Sequence, residues 1–210
     1  RLLDDNGVNF SDDWQKGNLE DLASIDSGFA FKSTDIIDSS NGIPIIRMSD
    51  LKNGKLDLTN SARISDSPND SIQKFKLNVG DFVFGMSGSL SNFAWVREFD
   101  LPCYLNQRVG RIVAKENASQ LFVTYLYLSE KVQQSISDKA AGAAQLNISV
   151  NDLRKTHVIY PKIEEQKKIA QVLTTADQEI DLYQQQLNKL KTEKKALMQQ
   201  LLTGKKRVKA

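Results

Sequence analysis

The last quarter of the chain carries a sustained heptad pattern, and this pattern limits the folds that the sequence can adopt. Between Glu164 and Leu202, apolar residues recur at alternating steps of four and three, and only Lys194 interrupts the series. A period of 3.5 residues is typical of a coiled-coil helix that packs against another helix. A helix of this span would be on the order of 50 Å long. The seam consists of Ile169, Leu173, Ala176, Ile180, Tyr183, Leu187, Leu190, Lys194, Leu197 and Leu201.

Signals at both ends indicate where this helix begins and stops. Pro161 ends the preceding strand, and Glu164 and Glu165 fall in the first helical turn, where negative charge complements the helix dipole. Gly204 supplies a glycine stop after Leu202. We therefore predict a mixed α/β globular domain over residues 1–160, followed by one long C-terminal coiled-coil α-helix over residues 161–210.

Apolar runs and turn residues predict the elements of the globular domain. A hairpin is expected between a strand within 79–88 and a second strand at 93–96, and helical spacing predicts one core-facing helix over 121–136. Residues 14–31 have the pattern of a short amphipathic helical turn that runs into a glycine-broken segment, where Gly28 marks a turn or a close backbone approach. Further strands are predicted over 44–48, 104–113 and 157–160.

Charge separates the two parts of the chain. Residues 1–163 carry 18 Lys and Arg against 20 Asp and Glu, a net charge of −2, whereas residues 164–210 carry 10 against 6, a net charge of +4. Most of the basic excess lies in 189–209. We favour a solvated helix face there over direct DNA binding by the tail.

Few kinds of catalytic or metal chemistry fit this composition. Cys103 and His157 are each the single residue of their type, so an internal disulfide and a Cys/His zinc cluster are excluded. A GxxxxGK[ST] loop, a GxGxxG turn and a GxSxG elbow are all absent from the sequence. No apolar run approaches the roughly 20 residues that cross a bilayer, and the first residues lack signal-peptide features, so we expect a cytoplasmic chain without membrane contact.

Motifs along nearly the whole chain carry a family resemblance. The run PKIEEQKKIAQVL at 161–173 and the run that ends the helix at 187–208 are the most specific. FSDDW at 10–14, followed by LEDL, opens the domain. Looser matches lie at 42–47, 79–83 and 106–108. Together, in this order and spacing, they resemble the specificity (S) subunits of Type I restriction-modification systems.

The resemblance implies a target-recognition domain over 1–160 and, over 161–210, a conserved-region helix for dimerisation, spacing and methyltransferase docking. Such subunits recognise double-stranded DNA for separate methyltransferase (M) and restriction (R) subunits, so it also implies a non-catalytic chain with no cofactor or metal of its own. Full-length members pair two domains and two antiparallel helices, and each domain reads half of a bipartite site. One domain and one helix would fit either a homodimer through the C-terminal helix or a piece of a longer chain.

Candidate DNA-binding residues are polar or basic side chains in or beside the glycine-rich and polar loops. Arg and Lys suit guanine edges, whereas Asn and Gln suit adenine edges. Either arginine could equally form a structural ion pair, and the serines could serve turns. The candidates are Lys32, Arg47, Ser87, Ser89, Asn92, Arg108, Gln145 and Asn147.

Two other classes of protein stay open on the sequence alone. A coiled-coil scaffold or interaction protein without direct base readout would explain the helix but not the polar loops. A self-contained DNA-modifying enzyme would have to bind S-adenosylmethionine by itself, and the sequence displays no centre for that reaction.

Overall fold

The computed structural model describes residues 14–38, 41–52, 54–66, 69–87, 92–140 and 149–208. The chain divides into two compact units, one that ends at Lys167 and one that begins at Lys168. The strands are β1 Gln15–Asn18, β2 Ala23–Ser27, β3 Ile43–Ile46, β4 Leu51–Lys52, β5 Lys55–Leu56, β6 Arg63–Ile64, β7 Phe82–Gly85, β8 Phe93–Trp95, β9 Tyr104–Leu105, β10 Val109–Ala114 and β11 His157–Tyr160. The helices are α1 Leu19–Leu22, α2 Gln120–Leu128, α3 Glu130–Ala140, α4 Val150–Arg154 and α5 Ile163–Leu202. The predicted mixed α/β domain with a long C-terminal helix is confirmed.

A sheet of order β2-β10-β7-β8 forms the centre of the first unit, and its neighbouring strands are all antiparallel. Every residue of β7 is buried, and because side chains alternate along a strand, this strand packs on both faces of the sheet. Phe82 and Phe84 meet the ring of Tyr127 from α2, with centroids 5.6 and 4.9 Å apart. Val83 belongs to a second cluster of buried residues that includes Leu105. The predicted hairpin is confirmed, with Phe82 paired to Trp95.

A smaller sheet of order β6-β3-β9 lies beside this core. Its strands β3 and β9 run parallel, with Ile45 paired to Tyr104 and Ile46 to Leu105. Because parallel neighbours run in the same direction, both strands end at the same edge of the sheet. The residues that follow them, Arg47 and Asn106, are thereby brought together.

The first residues described and the start of the long helix meet at one end of the unit. Strand β1 pairs antiparallel with β11, with Gln15 opposite Tyr160. The buried Gln166 side chain donates to Pro161 O at 2.9 Å and accepts from Ser119 N at 3.0 Å. This glutamine, from the EQ pair of the helix entry motif, therefore fixes the first turns of α5 to the strand that precedes them.

Two local predictions were wrong in detail. The helix expected over 121–136 breaks at Ser129, whose hydroxyl donates to Leu126 O at 2.7 Å and competes with the helical ladder. The strand expected over 104–113 is interrupted by a turn at 106–108. The short helical turn predicted within 14–31 is present at 19–22, and pairing with distant strands recruits its flanking residues into β1 and β2.

Gly28 is a close backbone approach, as predicted. Its N–H donates to Val109 O at 3.2 Å, and a Cβ added here would lie 2.1 Å from Leu105 O. Such a contact is far inside van der Waals distance and the opposing atom is backbone. Only glycine therefore lets this segment cross the β9–β10 connection.

Among the described residues, no helix is both long enough and apolar enough to span a membrane.

We expect Gly28→Ala to lower the free energy of unfolding by at least about 2 kcal/mol, because the added methyl group overpacks a backbone crossing. Denaturant unfolding followed by circular dichroism measures this change. Gly85→Ala is the matched control: its Cβ would meet Met48 Cε at 3.5 Å, an ordinary contact. Equal stability of the two variants would contradict the crossing as a constraint.

Candidate nucleic-acid interface

A tight turn between β9 and β10 projects two polar side chains into solvent. Asn106 O accepts from Val109 N at 2.9 Å, and Asn106 Oδ1 accepts from Arg108 N at 3.3 Å, so this asparagine forms the turn with its own side chain. Gln107 and Arg108 are exposed at its tip. Asn106 N donates to Ile46 O at 3.2 Å, which places the turn next to the residue that follows β3.

The end of β7 adds a second polar segment to the same place. Met86 N donates to Arg108 O at 3.1 Å, and the Ser87 hydroxyl donates to Met48 Sδ at 3.1 Å. Gly85 N donates to Asn92 O at 2.8 Å and so sets the start of the returning strand. Ser87 and Asn92 therefore flank the β9–β10 turn.

Lys32 stands on the next segment around this edge. Phe29 N donates to Leu105 O and Phe29 O accepts from Gln107 N, both at 2.9 Å, so the chain that leaves Gly28 is fastened to the turn. Lys32 is exposed, and with Phe29, Phe31 and other residues it lines an open cavity of about 490 Å³.

These segments define a surface that we call the polar edge. It comprises Lys32, Arg47, Ser87, Asn92, Gln107 and Arg108. Hydrogen bonds link the segments that carry four residues predicted from the sequence to bind DNA, Arg47, Ser87, Asn92 and Arg108, and the predicted Lys32 follows three residues after Phe29, which is bonded to the turn. The edge adds Gln107, whose place in the NQR run at 106–108 was the available signal. The predicted candidates Ser89, Gln145 and Asn147 lie outside the described residues.

Arg47 and Arg97 occupy the same kind of local turn and allow a direct comparison. Each backbone N–H donates at 2.8 Å to the aspartate three residues later, Asp50 or Asp100. The Arg97 side chain also bonds that carboxylate through Nε and Nη2, at 3.0 and 3.1 Å. The Arg47 guanidinium makes no hydrogen bond or ion pair with any described residue. The turn is therefore held without any contribution from the Arg47 guanidinium.

The same distinction separates all arginines of the first unit. Of the six between residues 14 and 167, four have guanidinium groups bonded to protein oxygens: Arg63, Arg97, Arg111 and Arg154. The other two, Arg47 and Arg108, have no such partner among the described residues, and both belong to the polar edge. Their guanidinium groups remain available for an external acceptor.

The acidic residues nearest to these cations are committed to turns. Asp50 is 5% exposed and accepts from Arg47 N and from the Ser49 hydroxyl. Asp35 accepts from Lys32 N at 2.8 Å. Backbone donors thus hold both carboxylates, and of the two Asp50 is buried whereas Asp35 is exposed.

Other reactive side chains do not converge on this edge. Cys103 is fully buried, and burial raises its pKa to about 12, so its thiol is neutral at physiological pH. His157 lies on β11, a strand that pairs with β1. No group of three or more His, Cys, Asp or Glu within the described ranges could hold a metal ion. The edge can form hydrogen bonds and ion pairs.

The second unit presents a different surface. Its seam residues are exposed along α5, among them Ile180 at 64%, Tyr183 at 65% and Leu190 at 61%. Large apolar side chains repeated at this spacing are normally covered by another helix. Gly204 follows the helix with φ of +71°, the left-handed conformation of a glycine stop, as predicted.

Comparison with known proteins gives consistent results. Residues 11–192 match the family model described as Type I restriction modification DNA specificity domain. The chain is 30% identical over 206 residues to the Type I restriction enzyme MjaVIII specificity subunit of Methanocaldococcus jannaschii, covering 94% of this chain and 47% of the relative. It is 27% identical over 201 residues to the EcoBI specificity subunit of Escherichia coli, covering 94% and 40%. The chain spans about half the length of these curated relatives.

Solved structures share the fold. The HsdS subunit from Thermoanaerobacter tengcongensis superposes with a TM-score of 0.61, covering 92% of this chain and 46% of that one. A chain in a structure describing complex assembly of the type I R-M system gives 0.66, with coverage of 94% and 46%. Both are 17% identical in sequence, so they establish the likeness of fold alone.

The two arginine turns should differ in their contribution to stability. We expect Arg97→Gln to lower the free energy of unfolding by about 1–3 kcal/mol, because Asp100, 4% exposed, loses its charged partner. Arg47→Gln should change it by less than about 0.5 kcal/mol, since its guanidinium has no described partner to lose. Urea unfolding of both variants checks this, and an equal loss for the two would show that Arg47 is structural.

Proposed function

The chain belongs to the family of Type I restriction modification DNA specificity domains, and from this membership we propose that it reads one half of a bipartite DNA site. In this proposal the chain directs partner methyltransferase (M) and restriction (R) subunits to that site and performs no catalysis itself. Residues 1–160 act as the target-recognition domain, and residues 161–210 act as the dimerisation, spacing and docking helix.

The observation that carries the proposal is the pair of uncommitted guanidinium groups at the polar edge. Among the described arginines of the first unit, Arg47 and Arg108 are the two whose guanidinium groups have no described intramolecular partner. An arginine that stabilises a fold is usually bonded, as Arg97 is. Arginine binds guanine O6 and N7 through two parallel hydrogen bonds, the commonest specific contact in DNA major grooves.

The remaining side chains of the edge complete a reading surface. Asn92 and Gln107 carry amides that suit the N6 and N7 atoms of adenine, and the Ser87 hydroxyl can contact either base or phosphate. The backbone hydrogen bonds at 2.8–3.2 Å that hold the turns fix the origin of each side chain. A rigid platform reduces the entropy lost when these side chains order on DNA.

Binding by this chain alone should be weak. Residues 1–163 carry a net charge of −2, so the favourable release of counterions from phosphates is limited. We propose that the methyltransferase subunits supply much of the phosphate contact, while the polar edge supplies base discrimination. Any S-adenosylmethionine and ATP used by the complex would then belong to the partner subunits.

The long helix supplies the geometry of the bipartite site. The seam steps of four and three are the same when read from either end, so an antiparallel copy can match it position by position. In that register Ile169 lies opposite Leu201, and the polar Lys194 lies opposite Ala176, the smallest residue of the seam. The small residue leaves space for the lysine stem, whose ammonium reaches solvent. A two-fold pair of helices would hold two recognition domains apart.

The second helix has two sources, a second copy of this chain or a further part of a longer polypeptide. Either source would cover the apolar seam and give a two-domain reader, but the residue-by-residue register described above applies to a second copy of this chain. The mass of the isolated chain in solution distinguishes them, because a homodimer doubles it at concentrations above its Kd.

Methylation mapping tests recognition directly. The chain is produced with its methyltransferase subunit in a host that lacks other DNA methylation, and modified bases are mapped by sequencing. We expect one bipartite motif that disappears when the chain is omitted. Arg47→Gln and Arg108→Gln should each lower methylation of this motif by at least about tenfold or relax one base of it, since a bidentate pair contributes about 1–3 kcal/mol of discrimination.

Lys16→Gln provides the control for loss of one positive charge. Lys16 is exposed on β1, which pairs with β11 and contributes nothing to the polar edge. Unchanged methylation by both arginine variants would refute base reading by this edge. If the motif is still methylated when the chain is omitted, the chain would be a coiled-coil scaffold without base readout. Binding of S-adenosylmethionine by the purified chain alone would indicate a self-contained enzyme.

The interrupted seam gives a separate test of helix pairing. We expect Lys194→Leu to strengthen association by at least about tenfold and to permit alternative registers, because polar seam residues specify register at a cost in stability. Lys189→Leu adds the same side chain at an exposed position away from the seam and should change association little. Sedimentation equilibrium measures both, and equal affinity of the two variants would contradict pairing through this seam.

A further inference from the structure

A second basic surface lies on the first unit beside the polar edge. It is an open cavity of about 400 Å³, lined by Asp26, Ser27, Lys74, Phe75, Arg111, Val150 and Arg154. None of these residues belongs to the predicted DNA-binding set. Its three cations come from separate segments: the turn before β7, strand β10 and helix α4.

Arg111 forms the floor of this cavity and is only partly satisfied. Its side chain is 15% exposed, and its Nη atoms donate to Lys76 O at 3.2 Å, to Asp81 Oδ2 at 3.4 Å and to Lys74 O at 3.4 Å. Two of these contacts are long. Its Nε is buried and has no partner within the described residues, so this atom is out of reach of an external ligand. The long Nη contacts are the ones that an external acceptor would supplement.

Arg154 and Lys74 form the walls. Arg154 donates through Nε and Nη2 to Ile25 O and through Nη2 to Asp26 Oδ1 at 3.5 Å, which leaves both Nη1 hydrogens without a described acceptor. Lys74 is exposed, and its Nζ lies 5.0 Å from the centre of the Phe75 ring, with no carboxylate partner among the described residues. Three cations face Asp26 and Asp81, so the cavity keeps a net positive charge.

The cavity adjoins the Gly28 crossing. Ser27, in its lining, directly precedes Gly28, where the chain crosses the β9–β10 connection. Phe75, also in the lining, packs against Phe29 with ring centroids 5.6 Å apart. Arg111, on β10, is three residues beyond Arg108, which lies in the turn before that strand.

Cations gathered in one recess near the proposed base-reading turn suit the phosphate backbone of the same duplex. We propose that Lys74, Arg111 and Arg154 form a clamp for one backbone phosphate of the duplex read by the polar edge. The clamp rests on the proposed function and extends it, because it fixes the register and orientation of the domain on DNA.

A phosphate oxygen suits this arrangement better than a base edge. The donors converge from three segments on one recess, and a phosphate accepts several hydrogen bonds at once. Phosphate contacts orient a protein on DNA but carry no direct sequence information. The clamp should therefore raise affinity equally for all sequences and leave the methylated motif unchanged.

Salt-dependent binding tests the clamp. The chain is combined with its methyltransferase subunit and titrated with a labelled duplex that carries the motif found by methylation mapping. Lys74→Gln should weaken binding about fivefold at 0.15 M salt and reduce the slope of log affinity against log salt by about 0.9, with the motif unchanged. Lys16→Gln should leave both unchanged. Lys74 makes no described hydrogen bond through Nζ, so this variant retains the fold.

Neutral methylphosphonates locate the contact on the DNA. Replacing phosphates one at a time should weaken wild-type binding about fivefold at one position in each half-site, and the same replacement should not weaken Lys74→Gln further. If wild type reads the motif but Lys74→Gln keeps its full salt slope, the clamp is wrong and the proposed function stands. If Lys74→Gln instead loses affinity for the methyltransferase subunit without DNA, the cavity docks protein. If wild type shows no motif, the proposed function itself fails.

Discussion

The arrangement of the first unit depends on one backbone crossing. Gly28 passes so close to Leu105 that no Cβ fits, and the next residue, Phe29, is fastened on both sides to the β9–β10 connection. This crossing aligns the 29–35 segment with the ends of β3, β7 and β9. The β9–β10 turn of the polar edge and Ser27 of the basic cavity both adjoin this crossing. Two surfaces that we assign to base and phosphate contact therefore share one structural origin.

A recurrent acidic turn is found throughout the first unit. In five places an aspartate accepts from the backbone N–H three residues earlier, at 2.7–2.9 Å: Asp21, Asp35, Asp50, Asp81 and Asp100. Asp50 and Asp100 are buried, whereas Asp21 and Asp35 are exposed. The same turn places either a bonded arginine, Arg97, or an available one, Arg47, at its first position. Local geometry is shared, and only the guanidinium differs.

The long helix α5 carries an apolar seam that requires a partner helix. Its apolar seam is exposed over most of its length, and an exposed stripe of this size is unfavourable in water unless another helix covers it. Lys194 is the polar exception within that stripe. If the seam pairs antiparallel, the lysine selects the register that puts Ala176 opposite it, and the register sets the distance between two recognition domains. The polar lysine then lowers the stability of the helix pair but fixes the spacing of the two domains.

The sequence by itself determined the features that depend on near neighbours along the chain. The 3.5-residue period with its glycine stop predicted α5, and turn residues predicted the β7–β8 hairpin, because both arise from interactions within a few tens of residues. The order of the sequence motifs was enough to identify the family, because motifs can be read from the sequence without a structure. The glycine at position 28 was recognisable as a constraint, although the backbone that it meets was not.

Only the tertiary structure decided which residues share a surface and which charges are already used. The pairing of β1 with β11, the break at 106–108 and the convergence of Lys74, Arg111 and Arg154 depend on contacts between distant segments, which no local pattern encodes. Arg47 and Arg97 begin turns of the same type, ending in Asp50 and Asp100, yet the tertiary fold engages one guanidinium and leaves the other available. Whether a side chain has a hydrogen-bond partner depends on which acceptors the fold places within its reach.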